Sequence, residues 1–369
     1  MLKIKALRIL IIFSILSMSH VASAQSDVAA ATNKAALDKL SIHLKKRAEA
    51  AQQHAKDVAK RKGWPTRKKL ADGTVIEIQR LTPAGMPVFY ITENAVAADT
   101  VSTDNVWPGG TAGLNLDGSG MTVGEWDDGV VLDTHWEFTG RVTQVDNSPT
   151  DPSDHSTHVA GTLIAAGIID PAAKGMAYAA SLDAYDWNSD TAEMATAAAG
   201  GLLLSNHSYG TATGWLLIDP LVIPQVWWWL GGADDSQIED YNFGYYNTDA
   251  QLWDQIAFDA PYYLIVKSAG NDRDDIGPAP GEIYTIVDAD GKDLGTSTLA
   301  RSQDCAPVGY DCIPTNGTAK NILTVGAVDD IQGGYTSFPD PARVAMSIFS
   351  GWGPTDDGRI KPDIVANGI

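Results

Sequence analysis

The stretch Asp154-His155-Ser156-Thr157-His158-Val159-Ala160-Gly161-Thr162 places two imidazoles three residues apart, ahead of a run of small side chains. At that spacing both histidines share one face of a helix, predicted around His158 to Gly167. Ala160 and Gly161 let such a helix lie close against whatever packs beneath it. Two histidines so placed are either satisfied structural residues or metal ligands, and the H-E-x-x-H pattern of a zinc helix is missing. Two further polar clusters follow apolar runs: Trp126-Asp127-Asp128-Gly129 and Lys267-Ser268-Ala269-Gly270-Asn271-Asp272. Taken singly, Asp127 or Asp128 reads as a turn residue, and Ala-Gly-Asn as a turn.

Outward from these clusters, apolar runs alternate with helical stretches. Strand-like segments are predicted at Met121 to Trp126, Gly201 to Leu204, Tyr263 to Lys267 and Ile322 to Val328, with a second helix over Thr248 to Asp259. This order describes βαβ units and an α/β fold with a buried parallel sheet flanked by helices. In such sheets the active site forms outside the carboxyl ends of the strands, where the strand order reverses. All three polar clusters fall at such ends.

Together and in this order the clusters resemble the subtilase (subtilisin-like serine peptidase) family. Its signatures are Asp-x-Gly after a strand, His-Gly-Thr-His-Val-Ala-Gly-Thr opening a buried helix, and an Ala-Gly-Asn loop. The second motif matches at seven of eight positions, with Ser156 in place of glycine. The resemblance extends to Ser205-Asn206-His207-Ser208-Tyr209-Gly210, similar to the family's substrate-binding strand, and to Ile322 to Val328 and Lys361-Pro362-Asp363-Ile364-Val365-Ala366. It implies an endopeptidase with a subtilisin-like sheet, acting on protein or peptide substrates. Asp127 would orient His155 and stabilise its imidazolium, and His155 would be the general base. Asn271 would donate to the oxyanion, and Ser208 and Gly210 would line the cleft and pair with substrate backbone. The assignment goes to Asp127 because it, not Asp128, is followed by x-Gly; Asp128 stands where the family usually has Thr or Ser.

The family's Gly-Thr-Ser-Met-Ala segment does not follow Lys361-Pro362-Asp363 here, so these residues are expected to be a fragment that lacks the nucleophile and is itself inactive. Gly295-Thr296-Ser297 resembles that segment but precedes the Ile322 to Val328 strand, the wrong chain order, which makes Ser297 a decoy. A competing reading is a catalytically dead subtilase-like protein that holds peptides at Ser208. A third, a carbohydrate binder, is prompted by eleven tryptophans and the Trp227-Trp228-Trp229 run, against which stands a buried aromatic cluster.

Residues 1 to 24 carry Lys3, Lys5 and Arg8, an apolar run from Ile9 to Met18, and Ala22-Ser23-Ala24, the order of a cleaved signal peptide. The mature chain is therefore expected to be secreted or periplasmic, with no membrane anchor. Residues 25 to 105 read as a pro-segment and linker. Lys34 to Lys62 predicts a helix free of Pro and Gly, and Thr74 to Gln79 with Val88 to Ile91 a hairpin. The peptidase domain would run from 106 to 369, with 276 to 316 an inserted surface loop or ribbon stapled by Cys305 and Cys312.

The net charge is −20, yet residues 25 to 70 hold twelve Lys/Arg against four Asp/Glu. The acidic remainder repels nucleic acid, and the basic segment is expected to dock on it as an internal partner. The chemistry needs no cofactor. Acidic stretches at Asp234-Asp235 and Asp272 to Asp275 read either as exposed acidic loops or as sites for the structural calcium that the resemblance implies; no metal ligand set is assigned.

Overall fold

A computed structural model describes residues 28 to 368, apart from 29, 70–74, 82–86, 93–99, 147, 169–170, 220–225, 233–238, 288–292, 303, 306–308, 332–333 and 336–338. The expected signal peptide, the hairpin turn with Pro83 and Gly85, and Asp234-Asp235 lie outside the described residues.

The N-terminal segment forms as its composition dictates. Helix α1 (Lys34–Lys62) is capped by Asn33, whose side chain accepts from Ala36 N, and stops at Gly63 (φ 74°), whose N–H reaches Ala59 O. Its buried face is Leu37, Leu44, Ala55 and Ala59. Strands β1 (Arg67–Lys69), β2 (Val75–Leu81) and β3 (Pro87–Thr92) then make an antiparallel meander. The hairpin expected from the sequence is β2 and β3. Strand β1 is additional, because Arg67-Lys68-Lys69 shows no apolar alternation.

The body is a seven-stranded parallel sheet. Its strands are β4 (Thr122–Asp127), β5 (Val142–Gln144), β6 (Ser181–Asp186) and β7 (Leu204–His207), then, after the short β8 (Tyr209–Thr211), β9 (Trp215–Asp219) and β10 (Val226–Trp229), β11 (Leu264–Ser268). After β12 (Tyr284–Val287) and β13 (Asp293–Ser297) come β14 (Leu323–Val328) and β15 (Ile364–Asn367). The order across the sheet is β15-β14-β11-β7-β4-β6-β5, and every pairing in it is parallel. From β4 the chain goes first to the outer strand β5, returns to β6 between β5 and β4, and then crosses to β7 on the other side of β4. The switch point therefore lies between β4 and β7.

Three helices flank the sheet: α2 (Asp154–Ile164), α3 (Asp190–Ala199) and α4 (Thr248–Asp259). Helix α2 begins four residues earlier than the predicted helix, because Ser153 caps it by accepting from His155 N and Ser156 N. The two-residue period of β4 divides the core. Trp126 packs with Tyr185, Trp187, Met194, Trp253 and Ile265 on the α3 and α4 side. Val123 packs with Ala160, Ile164, Leu182 and Ala184 on the α2 side. Helix α1 lies against α3 and α4, with Leu37 entering the same cluster as Trp126.

The 276 to 316 stretch contributes β12 and β13 to a second sheet of order β13-β12-β10-β9, so it is a ribbon rather than a bare loop. Its interior is Trp215, Trp227, Trp229, Tyr284 and Ile286, all buried. The tryptophan run is thus an aromatic core, not an exposed sugar-stacking face. Cys305 and Cys312 are disulfide-bonded and buried. Ser297 ends β13 in this second sheet, where its Oγ accepts from Leu299 N at 3.0 Å.

Candidate active site

The site is assembled from the ends of parallel strands. Asp127 is the last residue of β4 and has no exposed surface. Its Oδ1 lies 2.6 Å from His155 Nδ1 and accepts from Asp128 N at 2.7 Å. His155 is the second residue of α2, so the helix N-terminus aims its ring at the end of β4. With Nδ1–H donating to Asp127, the tautomer leaves Nε2 as the basic nitrogen. Burial pushes the Asp127 carboxyl up, and the neighbouring imidazole pulls it back down.

Asp128 turns the other way. Its Oδ1 accepts from the hydroxyls of Ser153 and, at 3.0 Å, Ser156, while Oδ2 receives Arg67 Nη2 at 3.2 Å. Ser156 Oγ also accepts Gly129 N at 3.2 Å. The two departures from the family pattern therefore belong together: the serine hydroxyl at 156 satisfies the extra carboxylate at 128. Asp127, Asp128 and His155 are the one trio of potential ligand side chains among the described residues whose atoms lie within 4.8 Å of one another. Their hydrogen bonds already account for that grouping.

Asn271 follows β11 at the same carboxyl edge, with its side chain exposed. Gly270 before it has φ 95°, and a Cβ there would lie 2.8 Å from Pro314, so only glycine fits. Ser208 links β7 to β8, its Oγ accepting from Asn206 Nδ2 at 2.9 Å. Gly210 lies in β8, where β3 of the N-terminal segment pairs antiparallel with it, Ile91 opposite Gly210 and Thr92 opposite Tyr209. The predicted residues thus share one edge of the sheet, and the dyad of Asp127 and His155 is in direct contact. The tight packing expected at Gly161 is not found. A Cβ there meets nothing within 4 Å, and the residue lines an open groove of about 800 Å³ shared with Trp107, Phe138, His158 and Met176. Ala160, by contrast, is fully buried.

A buried polar chain, which the resemblance did not signal, runs through the Ser205 to Gly210 stretch. Tyr263 OH donates to Ser205 Oγ (2.7 Å), Ser205 Oγ meets His207 Nε2 (2.8 Å), His207 Nδ1 lies 3.2 Å from Tyr209 OH, and that hydroxyl donates to Asp190 Oδ2 (2.8 Å). Trp126 stacks on His207 with centroids 5.2 Å apart. Burial, with Lys267 adding to it, holds the His207 imidazole well below its ordinary value. The signal available was the two-residue spacing of Ser205, His207 and Tyr209, which puts all three on one face of an extended segment. Arg67 was equally unmarked, one basic residue among many.

A parallel sheet with an Asp-His dyad at its switch point defines a serine-peptidase type of α/β scaffold. Residues 118–369 match the model of the Subtilase family of S8 peptidases, and the chain belongs to that family. It is 24% identical over 345 residues to the serine protease/ABC transporter B family protein tagA of Dictyostelium discoideum, covering 78% of this chain and 18% of that protein. It is also 48% identical over 52 residues to the uncharacterized protein aq_aa18 of Aquifex aeolicus, covering 14% of this chain and 23% of the relative. The chain thus spans less than a quarter of either curated relative. Among solved structures it is similar to the epidermin leader peptide processing serine protease of Staphylococcus aureus (TM-score 0.38, 14% identity, 78% of this chain and 61% of that one). A second is fervidolysin from Fervidobacterium pennivorans, described as a keratinolytic enzyme related to subtilisin (TM-score 0.33, 18% identity, 63% and 28%).

Proposed function

We propose that this chain serves a secreted or periplasmic serine endopeptidase that cleaves peptide bonds by acyl transfer, with Asp127, His155 and Asn271 as its catalytic groups. The observation that carries the proposal is the 2.6 Å contact between His155 Nδ1 and the fully buried Asp127 Oδ1. That contact fixes the ring, makes Nε2 the basic nitrogen that takes a hydroxyl proton and returns it to the leaving amine, and stabilises the imidazolium between the two transfers. Asn271 supplies a side-chain amide to the oxyanion, worth about 10²–10³ in turnover. Ser208 and Gly210 hold the substrate as an added strand. The nucleophilic serine is not assigned to any of these 369 residues.

The basic N-terminal segment, in this proposal, is a pro-segment that occupies the substrate edge. Three observations support it. β3 pairs with β8 in the antiparallel sense a substrate strand would take. Arg67 pairs with Asp128 beside the dyad, and Arg80 pairs with Asp249 at the start of α4. Among the described residues no helix is long and apolar enough to cross a membrane. A structural calcium near Asp272 to Asp275 belongs to the proposal too, and a chelator that leaves the melting temperature unchanged would remove it.

The test is labelling of the gene's natural product with a fluorophosphonate, a reagent that reacts only where serine, base and oxyanion donors are aligned. Labelling is expected, with Asp127→Asn and His155→Ala abolishing it and Asn271→Ala slowing it at least tenfold. No labelling, or labelling indifferent to these changes, would refute the assignment. Absence of labelling would favour a second reading, a peptide-holding protein without hydrolysis, which the same β3–β8 pairing supports.

A further inference from the structure

Glu125 lies two residues before Asp127 on β4, and the strand's two-residue period puts both carboxyls on the face turned toward α2. Glu125 has no exposed surface, and neither of its carboxyl oxygens has a hydrogen-bond partner among the described residues. The same is true of one oxygen of its neighbour: Asp127 Oδ1 takes His155 and the Asp128 amide, while Oδ2 is buried and unpartnered. Opposite Glu125 in the sheet stand Ala184 on β6 and Asn206 on β7, neither of them charged. The ionisable groups acting on it are Asp127 and Asp128, both acids, and α2 contributes His155, already committed to Asp127.

A carboxylate in that position would be an ion without a counter-ion in the core, at a cost far above that of keeping its proton. A neutral carboxylic acid, unlike a carboxylate, has one O–H to donate. One strand face therefore carries an unsatisfied acceptor on a residue that must stay ionised and, one pleat away, a buried group whose stable form is a donor.

We infer that Glu125 is a positioning residue of the active centre, a neutral carboxylic acid whose O–H is directed to Asp127 Oδ2. Its donation stabilises the ionised form of Asp127 in a site too dry for water to do so, and moderates the carboxylate's pull on the His155 proton. The arrangement follows the rule that two acids in unlike surroundings take unlike protonation states. Burial, with Asp127 and Asp128 adding to it, drives the Glu125 carboxyl well above the ordinary glutamate range.

The inference rests on reading Asp127 and His155 as a working dyad, but its test needs no turnover and so fails separately from the endopeptidase proposal. The His155 ring is titrated by NMR in the full chain, in wild type, Glu125→Gln and Glu125→Val. Glutamine keeps the shape and offers N–H donors, so its His155 titration should stay within about 0.3 of wild type. Valine removes the donor, leaves Asp127 a stronger base, and should raise the His155 value by about one unit, a tenfold change in proton affinity. If Glu125 is instead ionised, both variants remove a negative charge and both lower the His155 value, which overturns the inference. No change in either variant overturns it as well. Should Glu125→Val fail to fold, the wild-type chain still decides the matter. A Glu125 side-chain carboxyl carbon that keeps its protonated chemical shift through pH 5 to 8 supports the inference, and one that titrates in the ordinary glutamate range refutes it.

Discussion

Replacing Arg67 by methionine keeps the aliphatic stem but removes the charge that joins the N-terminal segment to the turn after β4. The guanidinium pairs with Glu77 at 2.9 Å and with Asp128 at 3.2 Å, and both carboxylates are nearly buried. Breaking a fully buried pair costs about 3–5 kcal/mol, but two features reduce that figure. Arg67 keeps 31% of its side chain in solvent, where water screens the charge. Each acid also retains other donors: Glu77 keeps Lys56 at 3.3 Å and Trp187 Nε1 at 2.9 Å, and Asp128 keeps the Ser153 and Ser156 hydroxyls. About 2 kcal/mol remains for two lost charge-assisted bonds. Because Arg67 sits on β1, the loss falls on detachment of β1–β3, and the detached population should rise about 30-fold. Hydrogen exchange of the β2 and β3 amides reads this directly. In an Asp128→Asn background the cost of Arg67→Met should shrink by about 1 kcal/mol, the coupling expected of a direct pair. An Arg67→Met exchange rate within about twofold of wild type, or a cost indifferent to Asp128, would refute the claim that this pair holds the segment.

Glu193 is pushed up to about 8 by burial, with Asp146 and Asp186 adding to it, so the folded state holds a proton that the unfolded chain releases above the ordinary glutamate value of 4.5. Stability should therefore fall as pH rises through that window, and Glu193→Gln should make the decline in melting temperature shallower. His207 works in the other direction: its value is well below 6.5 when folded, so the unfolded chain binds the proton first and stability should drop as pH falls below about 6.5. Proton uptake on unfolding, greater at pH 5.5 than at pH 8, would register it. Trp229→Ala empties the middle of the second sheet, where the ring is fully buried against Trp215 and under Arg301, and should cost about 3–5 kcal/mol by denaturant unfolding. Trp136→Ala, at a position 78% exposed, should stay within about 0.5 kcal/mol.

What the sequence made legible followed from how local each signal is. The Lys34–Lys62 helix needs only its own composition and the Gly63 stop, and its observed limits coincide with the predicted run. A parallel strand such as β14 announces itself because a sheet covered on both faces favours apolar runs. The dyad was readable for a different reason: a motif whose small residues and histidine spacing serve one geometry constrains many positions at once. Signals that depend on a distant partner were silent. Nothing in Arg67-Lys68-Lys69 says that the first of three cations will reach Asp128, 61 residues on. Nothing near Gly161 says whether its missing Cβ serves close packing or an open groove. Ser156 and Asp128 show the limit most clearly. In the sequence the two are separate departures from the family pattern, yet the hydroxyl of one is hydrogen-bonded to the carboxylate of the other. A substitution is thus explained by a compensating one 28 residues away, and only the fold that brings β4 against the start of α2 makes the two a single feature.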